Sequence, residues 1–218
     1  MQQRELRGFT AAIGAFDNEE FAGKLVLSVC DHWRRRLGDS CYTNVNANCI
    51  IRGLMRTLYL LRHAKSSWKD ETLRDFDRPL KGRGRRAAEQ MGQVLAEEKL
   101  KKPLVISSPA VRATETTELV LESAGLKVKP RFEERIYEAD VRTLLEVVGS
   151  IPDSGDTAIL VGHNPGFENL LTYFTGDGRH MPTCALAKIE FDVASWSEVS
   201  VEDSGRLEMF VTPKELEE

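Results

Sequence analysis

The stretch that decides the fold is TLYLLRHAKSSW, residues 57–68, in which an apolar run is followed at once by Arg62, His63 and Lys65. A short continuous apolar run predicts a strand buried on both faces, as in the interior of a parallel sheet. Ligands of open α/β sheets bind beyond the carboxyl ends of the strands. The three side chains are therefore candidates for ligand binding, although this stretch alone is equally consistent with a strand that simply reaches solvent there.

The overall composition is that of an ordinary globular protein. The chain has 218 residues, of which 41% are hydrophobic and 29% charged, enough for one domain with a full core. A formal net charge of −4 argues against non-specific nucleic-acid binding, which needs a basic excess. No apolar run approaches the roughly 20 residues of a membrane span. We therefore expect neither nucleic acid nor a membrane as partner, and the cytoplasm as the default location.

The four cysteines, Cys30, Cys41, Cys49 and Cys184, form no C-x-x-C pair, and three of them lie in the first quarter of the chain. This distribution predicts reduced thiols in an intracellular setting rather than a disulfide framework. A zinc site that combines the first three cysteines with His32 is the alternative. Its spacing matches no compact zinc motif, so we expect no metal there.

Residues 1–54 differ from the rest of the chain, because neither helical nor strand periodicity is sustained in them. Their acidic residues argue against a transit peptide, and no signal-peptide pattern is present. Met55 stands two residues before the first clear strand. We therefore expect residues 1–54 to be an N-terminal extension, either disordered or not native to the protein, and residues 55–218 to form one domain.

From residue 57 onward, short apolar runs alternate with segments of helical periodicity. This alternation predicts an α/β fold of three layers, with a mostly parallel central sheet and helices on both faces. The last two strands are expected to form a hairpin at the end of the sheet. The predicted strands are 57–61, 103–108, 126–130, 157–161, 184–193 and 205–213. The predicted helices are 85–100, 110–125 and 140–151, with Asp140 as an N-cap, and a fourth after His163.

Polar side chains follow three of these strands and should converge at one edge of the sheet. The first strand is followed by Arg62, His63 and Lys65. The second delivers Ser107 and Ser108, with Arg112 on the first turn of the next helix, and the fourth delivers His163 and Asn164. Taken singly, each residue could have a purely structural role, such as an ion pair between Arg112 and a glutamate of its own helix. Their common position at strand ends favours a shared site.

Two histidines and two arginines around one point suit phosphoryl transfer. Guanidinium groups bind phosphate oxygens bidentately, and the N-termini of the following helices add N–H donors. A neutral imidazole is a competent nucleophile that divides the transfer into two steps. A second imidazole, expected to be cationic, would stabilise the oxygens of the transferring group. The scheme needs no metal and no cofactor, and the sequence shows no di-histidine metal motif.

Four segments together resemble the histidine phosphatase superfamily, in its small SixA-like phosphohistidine phosphatase branch. The resemblance covers residues 55–216, and its fold is the three-layer sheet of the phosphoglycerate-mutase type. The segments, in chain order, are LRHAKSSW (61–68), SSPAVRATETTE (107–118), LVGHNP (160–165) and MFVTPKEL (209–216).

The resemblance implies a role for each matching residue. His63 would be the nucleophile that becomes phosphorylated, Arg62 and Arg112 would hold the phosphoryl oxygens, and His163 would be the second histidine of the pocket. Glu134 is the candidate general acid, with Glu138 as its rival, and the resemblance also allows that no effective acid is present, as in small members of the family. The family usually has glycine after the nucleophile, where this chain has alanine. Residues expected at the mouth of the pocket are Lys65, Ser67 and Trp68.

Three functions stay open at this point. The first is a phosphatase that acts on a protein phosphohistidine or a small phosphomonoester. The second is a phosphoglycerate-mutase-like phosphotransferase, for which the chain leaves little room between strands for a sugar-phosphate pocket. The third is a non-catalytic phosphate-binding module, since a fold does not fix its function. The sequence does not specify the substrate or the oligomeric state.

Overall fold

A six-stranded mixed sheet runs through the part of the chain that the computed structural model describes, residues 55–216. Its strands lie in the order β3-β2-β4-β1-β5-β6. The strands β3, β2, β4 and β1 are parallel to one another, whereas β5 pairs antiparallel with both β1 and β6. The strands are β1 (Arg56–Arg62), β2 (Leu104–Ser107), β3 (Arg131–Phe132), β4 (Thr157–Gly162), β5 (Leu186–Phe191) and β6 (Gly205–Val211). The apolar run of the opening stretch thus lies in the middle of the sheet.

Helices cover both faces of the sheet, because the side chains of β1 alternate between two apolar layers. Leu58 and Leu60 face one layer, and Tyr59 and Leu61 face the other; all four are buried. Two helices, α1 (Gly82–Glu97) and α2 (Val111–Ser123), pack on the layer of Tyr59 and Leu61. The other two, α3 (Val141–Gly149) and α4 (Gly166–Thr175), pack on the opposite layer. This arrangement confirms the predicted three-layer α/β fold.

Two local predictions from the sequence, a helix N-cap and a C-terminal hairpin, agree with the structure. The Asp140 carboxylate accepts a hydrogen bond of 2.9 Å from the Thr143 amide and caps the N-terminus of α3. The predicted C-terminal hairpin is present, with β5 and β6 antiparallel at the edge of the sheet. Among the described residues, no helix is long and apolar enough to cross a membrane.

The strand predicted over 126–130 is wrong in position. The chain pairs with β2 only at Arg131–Phe132, and residues 126–130 run along the edge without ladder hydrogen bonds. Leu126 and Val128 still pack against the core, which explains the apolar alternation that suggested a strand. Pro130 has no amide hydrogen to donate, which is typical of such an edge. The expected extension of residues 1–54, and the alternative zinc site within it, lie outside the described residues.

Candidate active site

The carboxyl ends of β1, β2 and β4 meet at a cavity of about 400 Å³. This is the edge at which the topology predicts a site. Five of the seven predicted site residues line it, and Ser67 and Glu134 do not. The lining residues are Arg62, His63, Lys65, Ser66, Trp68, Asp75, Arg78, Arg112, Glu138, His163, Asn164 and Thr183.

His63 follows the last residue of β1 and is buried. Its amide donates to the carbonyl of Gly162 at 3.0 Å, which ties it to the end of β4. Its ring Nδ1 lies 2.8 Å from the carbonyl oxygen of Ala64, so Nδ1 carries the proton and Nε2 keeps its lone pair. Burial, joined by the charges of Arg112 and Arg62, lowers the pKa of His63 to about 4. At neutral pH this imidazole is uncharged and nucleophilic.

Ala64 stands where the resembled family usually has glycine, and the fold accommodates it. Its side chain is fully buried, and its amide donates a hydrogen bond of 2.9 Å to the Thr116 hydroxyl on α2. The loop that carries His63 is therefore anchored to a helix directly after the histidine.

His163 lies beside His63, with 4.9 Å between the ring centroids. Its Nε2 is 2.8 Å from the Ser108 hydroxyl, and its buried Nδ1 has no hydrogen-bond partner within residues 55–216. Burial, followed by the charges of His63 and Arg112, lowers the pKa of His163 to about 3. The ring is therefore uncharged in the ligand-free protein, because it is buried beside cations and no carboxylate of residues 55–216 pairs with it. The expectation of a cationic ring during phosphoryl transfer stays a prediction.

The two predicted arginines reach the cavity from different elements. Arg62 ends β1, and its Nη1 donates to the carbonyl of Met181 at 2.8 Å, while its buried Nε lacks a partner in the described part of the chain. Arg112 lies on the first turn of α2 and is also buried. Its Nη2 binds the Asp75 carboxylate at 2.8 Å, not a glutamate of its own helix.

Asp75 is a site residue that the strand-end rule missed. Its Oδ1 pairs with Arg78 at 2.5 Å, its Oδ2 pairs with Arg112, and Oδ2 also accepts from the Tyr137 hydroxyl at 3.1 Å. Burial acts to raise the pKa of Asp75, but the bonds from Arg78 and the charge of Arg112 hold it below its ordinary value. The loop follows no strand directly, so topology gave no signal for it.

The loop after His63 supplies the mouth of the cavity. Lys65 and Trp68 line it as expected, but Ser66 takes the place predicted for Ser67. The Ser66 hydroxyl is buried and accepts a hydrogen bond of 2.6 Å from Arg78, whereas Ser67 offers only its carbonyl oxygen to Arg78, at 3.0 Å. The Trp68 ring lies against the guanidinium of Arg78.

Neither glutamate singled out as a general acid contacts the histidines, but they differ in position. Glu134 begins a short 3₁₀ helix (Glu134–Ile136), is exposed, and is absent from the cavity lining. Glu138 lines the cavity and has a left-handed backbone with φ of 52°. Outliers of this kind gather at functional sites. The remaining histidine of this region, His180, is exposed and pairs with Glu168 at 2.5 Å outside the cavity.

Residues 58–146 match the family model of the histidine phosphatase superfamily (branch 1). An uncharacterized chloroplastic protein of Arabidopsis thaliana is 33% identical over 174 residues, 73% of this chain and 79% of the relative. Two solved structures are similar to 73% and 72% of the chain: a candidate phosphohistidine phosphatase SixA from Nakamurella multipartitia (27% identity, TM-score 0.63, 96% of that chain) and another from Agrobacterium tumefaciens (28%, 0.61, 98%). The chain belongs to the histidine phosphatase superfamily, in its SixA-like branch.

Proposed function

We propose that the protein is a metal-independent phosphatase that forms a phosphohistidine intermediate on His63, with phosphohistidine in proteins as its substrate. The observation that carries this proposal is the state of His63: a buried, uncharged imidazole with a free Nε2, flanked by two arginines and a second histidine. A neutral imidazole with an available lone pair can attack phosphorus, and the flanking cations can bind the oxygens that gain charge.

The reaction proceeds in two balanced steps. In the first, Nε2 of His63 attacks phosphorus, a new P–N bond forms, and the bond from phosphorus to the substrate nitrogen breaks. That nitrogen keeps the electron pair and takes up a proton. In the second step, water attacks phosphorus, the P–N bond to His63 breaks, and inorganic phosphate leaves. Within residues 55–216, Arg62 Nε is a buried donor without a partner, and His163 Nδ1 is a buried ring nitrogen without one. The first can donate to a phosphoryl oxygen directly, and the second can do so once the ring is protonated.

The charge of the substrate changes the protonation of the second histidine. Its low pKa in the free protein comes from burial and from neighbouring cations. A phosphoryl dianion within hydrogen-bond distance offsets both effects and raises that pKa. We infer that His163 takes up a proton as substrate binds and then donates to the phosphoryl group.

Proton delivery to the leaving group falls to Glu138 in this proposal. Two carboxylates line the cavity, and Asp75 is held ionised by two guanidinium groups. Glu138 carries no such ion pair among the described residues and replaces Glu134, which lies outside the cavity. A phosphohistidine substrate demands little of this acid, because imidazole is a good nitrogen leaving group.

A matched pair of histidine variants tests the proposal. His63→Asn removes the nucleophile, and His180→Asn changes an exposed histidine outside the cavity. With phosphoramidate or a phosphohistidine peptide, we expect His63→Asn to lose at least about 10³-fold in kcat and His180→Asn to keep wild-type rates. Hydrolysis by His63→Asn at the wild-type rate would refute the mechanism. Vanadate binding without any hydrolysis by the wild type would favour the phosphate-binding module.

A further inference from the structure

Trp68 is unusual among the large apolar side chains of residues 55–216, because 66% of its surface is exposed although it lines the catalytic cavity. The other exposed large apolar side chains in this part of the chain, Leu73, Phe132 and Val201, do not line that cavity. Covering the exposed indole ring with part of a substrate would remove apolar surface from water, which is favourable. Because Trp68 lines the cavity, the position of its ring indicates that a bound substrate covers the exposed face.

One face of the Trp68 ring is fixed. The guanidinium carbon of Arg78 lies 3.2 Å from the ring centroid, in cation–π geometry. Arg78 is itself buried and cannot swing away easily, since it binds the Ser67 carbonyl at 3.0 Å, the Ser66 hydroxyl at 2.6 Å and the Asp75 carboxylate at 2.5 Å. A ring held rigidly on one side and open to solvent on the other is a ready stacking surface.

The cavity has room for more than a phosphoryl group. Its volume of about 400 Å³ is in the range of sites that hold whole small ligands. The phosphate-binding groups come from the ends of β1, β2 and β4, and Trp68 lies five residues after His63, on the loop that forms the mouth. A leaving group attached to the phosphorus therefore extends toward this loop.

We propose that Trp68 is a specificity-determining residue, on whose open face the planar ring of the leaving group stacks. This inference rests on the proposed function, in which that ring is the imidazole of phosphohistidine. Stacking on a pre-positioned aromatic ring strengthens binding of flat leaving groups and gives nothing to ammonia or to a small aliphatic group. Trp68 therefore favours phosphohistidine over non-aromatic phosphoryl donors.

The test compares two donors of the same phosphoryl group. N-phosphoimidazole has a planar leaving group, and phosphoramidate releases ammonia. The variants are Trp68→Ala, Trp68→Leu, which keeps apolar bulk, and Trp68→Phe, which keeps an aromatic face. Val201→Ala serves as the control, because Val201 is 60% exposed and lies outside the cavity lining.

We expect Trp68→Ala and Trp68→Leu to raise KM for N-phosphoimidazole about 10-fold, with kcat little changed. Trp68→Phe should stay within about 3-fold of wild type. In Trp68→Ala and Trp68→Leu, the loss of kcat/KM on phosphoramidate should be at least about 3-fold smaller than the loss on N-phosphoimidazole. A phosphohistidine peptide should behave like N-phosphoimidazole.

Three outcomes would overturn the inference. Equal losses on both donors would mean that Trp68 only holds Arg78 in place. A loss confined to the peptide would assign Trp68 to contacts with the polypeptide rather than with the ring. Unchanged kinetics on every donor would remove Trp68 from recognition altogether. In each case phosphoramidate turnover by the wild type still reports separately on the proposed function, since it depends on His63 and not on stacking.

Discussion

The chemistry of this protein depends on the protonation of single side chains. His63 is uncharged because it is buried next to guanidinium groups, and the Ala64 carbonyl holds its proton on Nδ1. Its pKa of about 4 means that the nucleophilic form is already present in mildly acidic solution. An exposed histidine would reach that form only near its ordinary pKa of about 6.5.

The pH dependence of kcat/KM for phosphoramidate, corrected for ionisation of the substrate, tests this state. A histidine attacks only when deprotonated, so the titration of His63 should give kcat/KM an acidic limb centred at about pH 4. Because His163 is uncharged in the free protein and takes up a proton when substrate binds, kcat/KM should fall again as pH rises from this limb toward neutrality. An acidic limb centred at 6.5 or above would contradict a depressed pKa for His63.

Arg112 tests the need for a guanidinium at the phosphate site. Lysine keeps the positive charge but cannot bind two oxygens in a plane. We expect Arg112→Lys to lower kcat/KM about 100-fold, the scale of losing one oxyanion-stabilising group. Arg131→Lys is the matched control, because Arg131 is exposed on β3 and outside the cavity. If Arg112→Lys were no more impaired than this control, the bidentate role of Arg112 would be ruled out.

At the scale of elements, the site depends on how closely α1 approaches the loop after β1. A side chain at Gly84 would overlap the carbonyl oxygen of Lys65 and would lie 2.9 Å from its amide nitrogen. That carbonyl also accepts a hydrogen bond of 2.9 Å from Lys81, just before α1. The helix therefore fixes the loop that comes after His63, the proposed nucleophile.

Two alanine substitutions on the same helix separate packing from helix propensity. Gly84→Ala should lower the free energy of unfolding by about 1–3 kcal/mol and reduce kcat, because the overlap displaces the Lys65 backbone. Gly82→Ala meets only the end of a flexible arginine at 4.0 Å and should be neutral or slightly stabilising. Denaturant unfolding and kinetics of both variants provide the measurement. Equal stability of the two variants would contradict the close approach at Gly84.

At the scale of the whole molecule, the two buried histidines link stability to pH. Their folded pKa values, about 4 and about 3, lie below the ordinary value of about 6.5 that applies when unfolded. Between these values the unfolded chain binds protons that the folded protein does not. The free energy of unfolding should therefore fall as pH is lowered from 6.5 to 5, by up to about 1.4 kcal/mol per pH unit for each histidine.

Chemical denaturation at several pH values measures this slope. His63→Gln should reduce it, since one of the two linked protons is removed, whereas His180→Gln should leave it unchanged because His180 is exposed. A wild-type slope of zero over this window would show that the histidines are not buried in their neutral form.

The core and the cavity both lie within residues 55–216. We therefore expect a protein that starts at Met55 to fold cooperatively and to keep the phosphatase kcat/KM of the full chain within about 3-fold. Thermal unfolding and kinetics of the two proteins check this. Loss of folding or of activity would mean that residues 1–54 belong to the functional unit.

Much of this molecule was predictable because its strands are short, apolar and placed before polar residues of distinctive type. The order of β1, β2 and β4 along the chain therefore located six of the residues that line the cavity: Arg62, His63, Lys65, Arg112, His163 and Asn164. The rest depended on tertiary contacts that no local pattern encodes. Asp75 reaches the cavity through its ion pairs with Arg78 and Arg112. Glu138 lines the cavity and has a left-handed backbone, whereas Glu134, four residues earlier in the chain, lies outside the cavity. The predicted position of β3 was wrong because the hydrogen bonds of an edge strand depend on where the adjacent strand, here β2, lies in the fold.

The central claim is that His63 becomes phosphorylated during turnover. The most direct measurement is a single-turnover reaction with phosphoramidate, quenched in alkali to preserve phosphohistidine and mapped by mass spectrometry. We predict phosphate on His63, absent from His63→Asn and present in His180→Asn. Turnover by a wild-type protein that carries no label on His63 at any time point, or carries the label on another residue, would contradict the account.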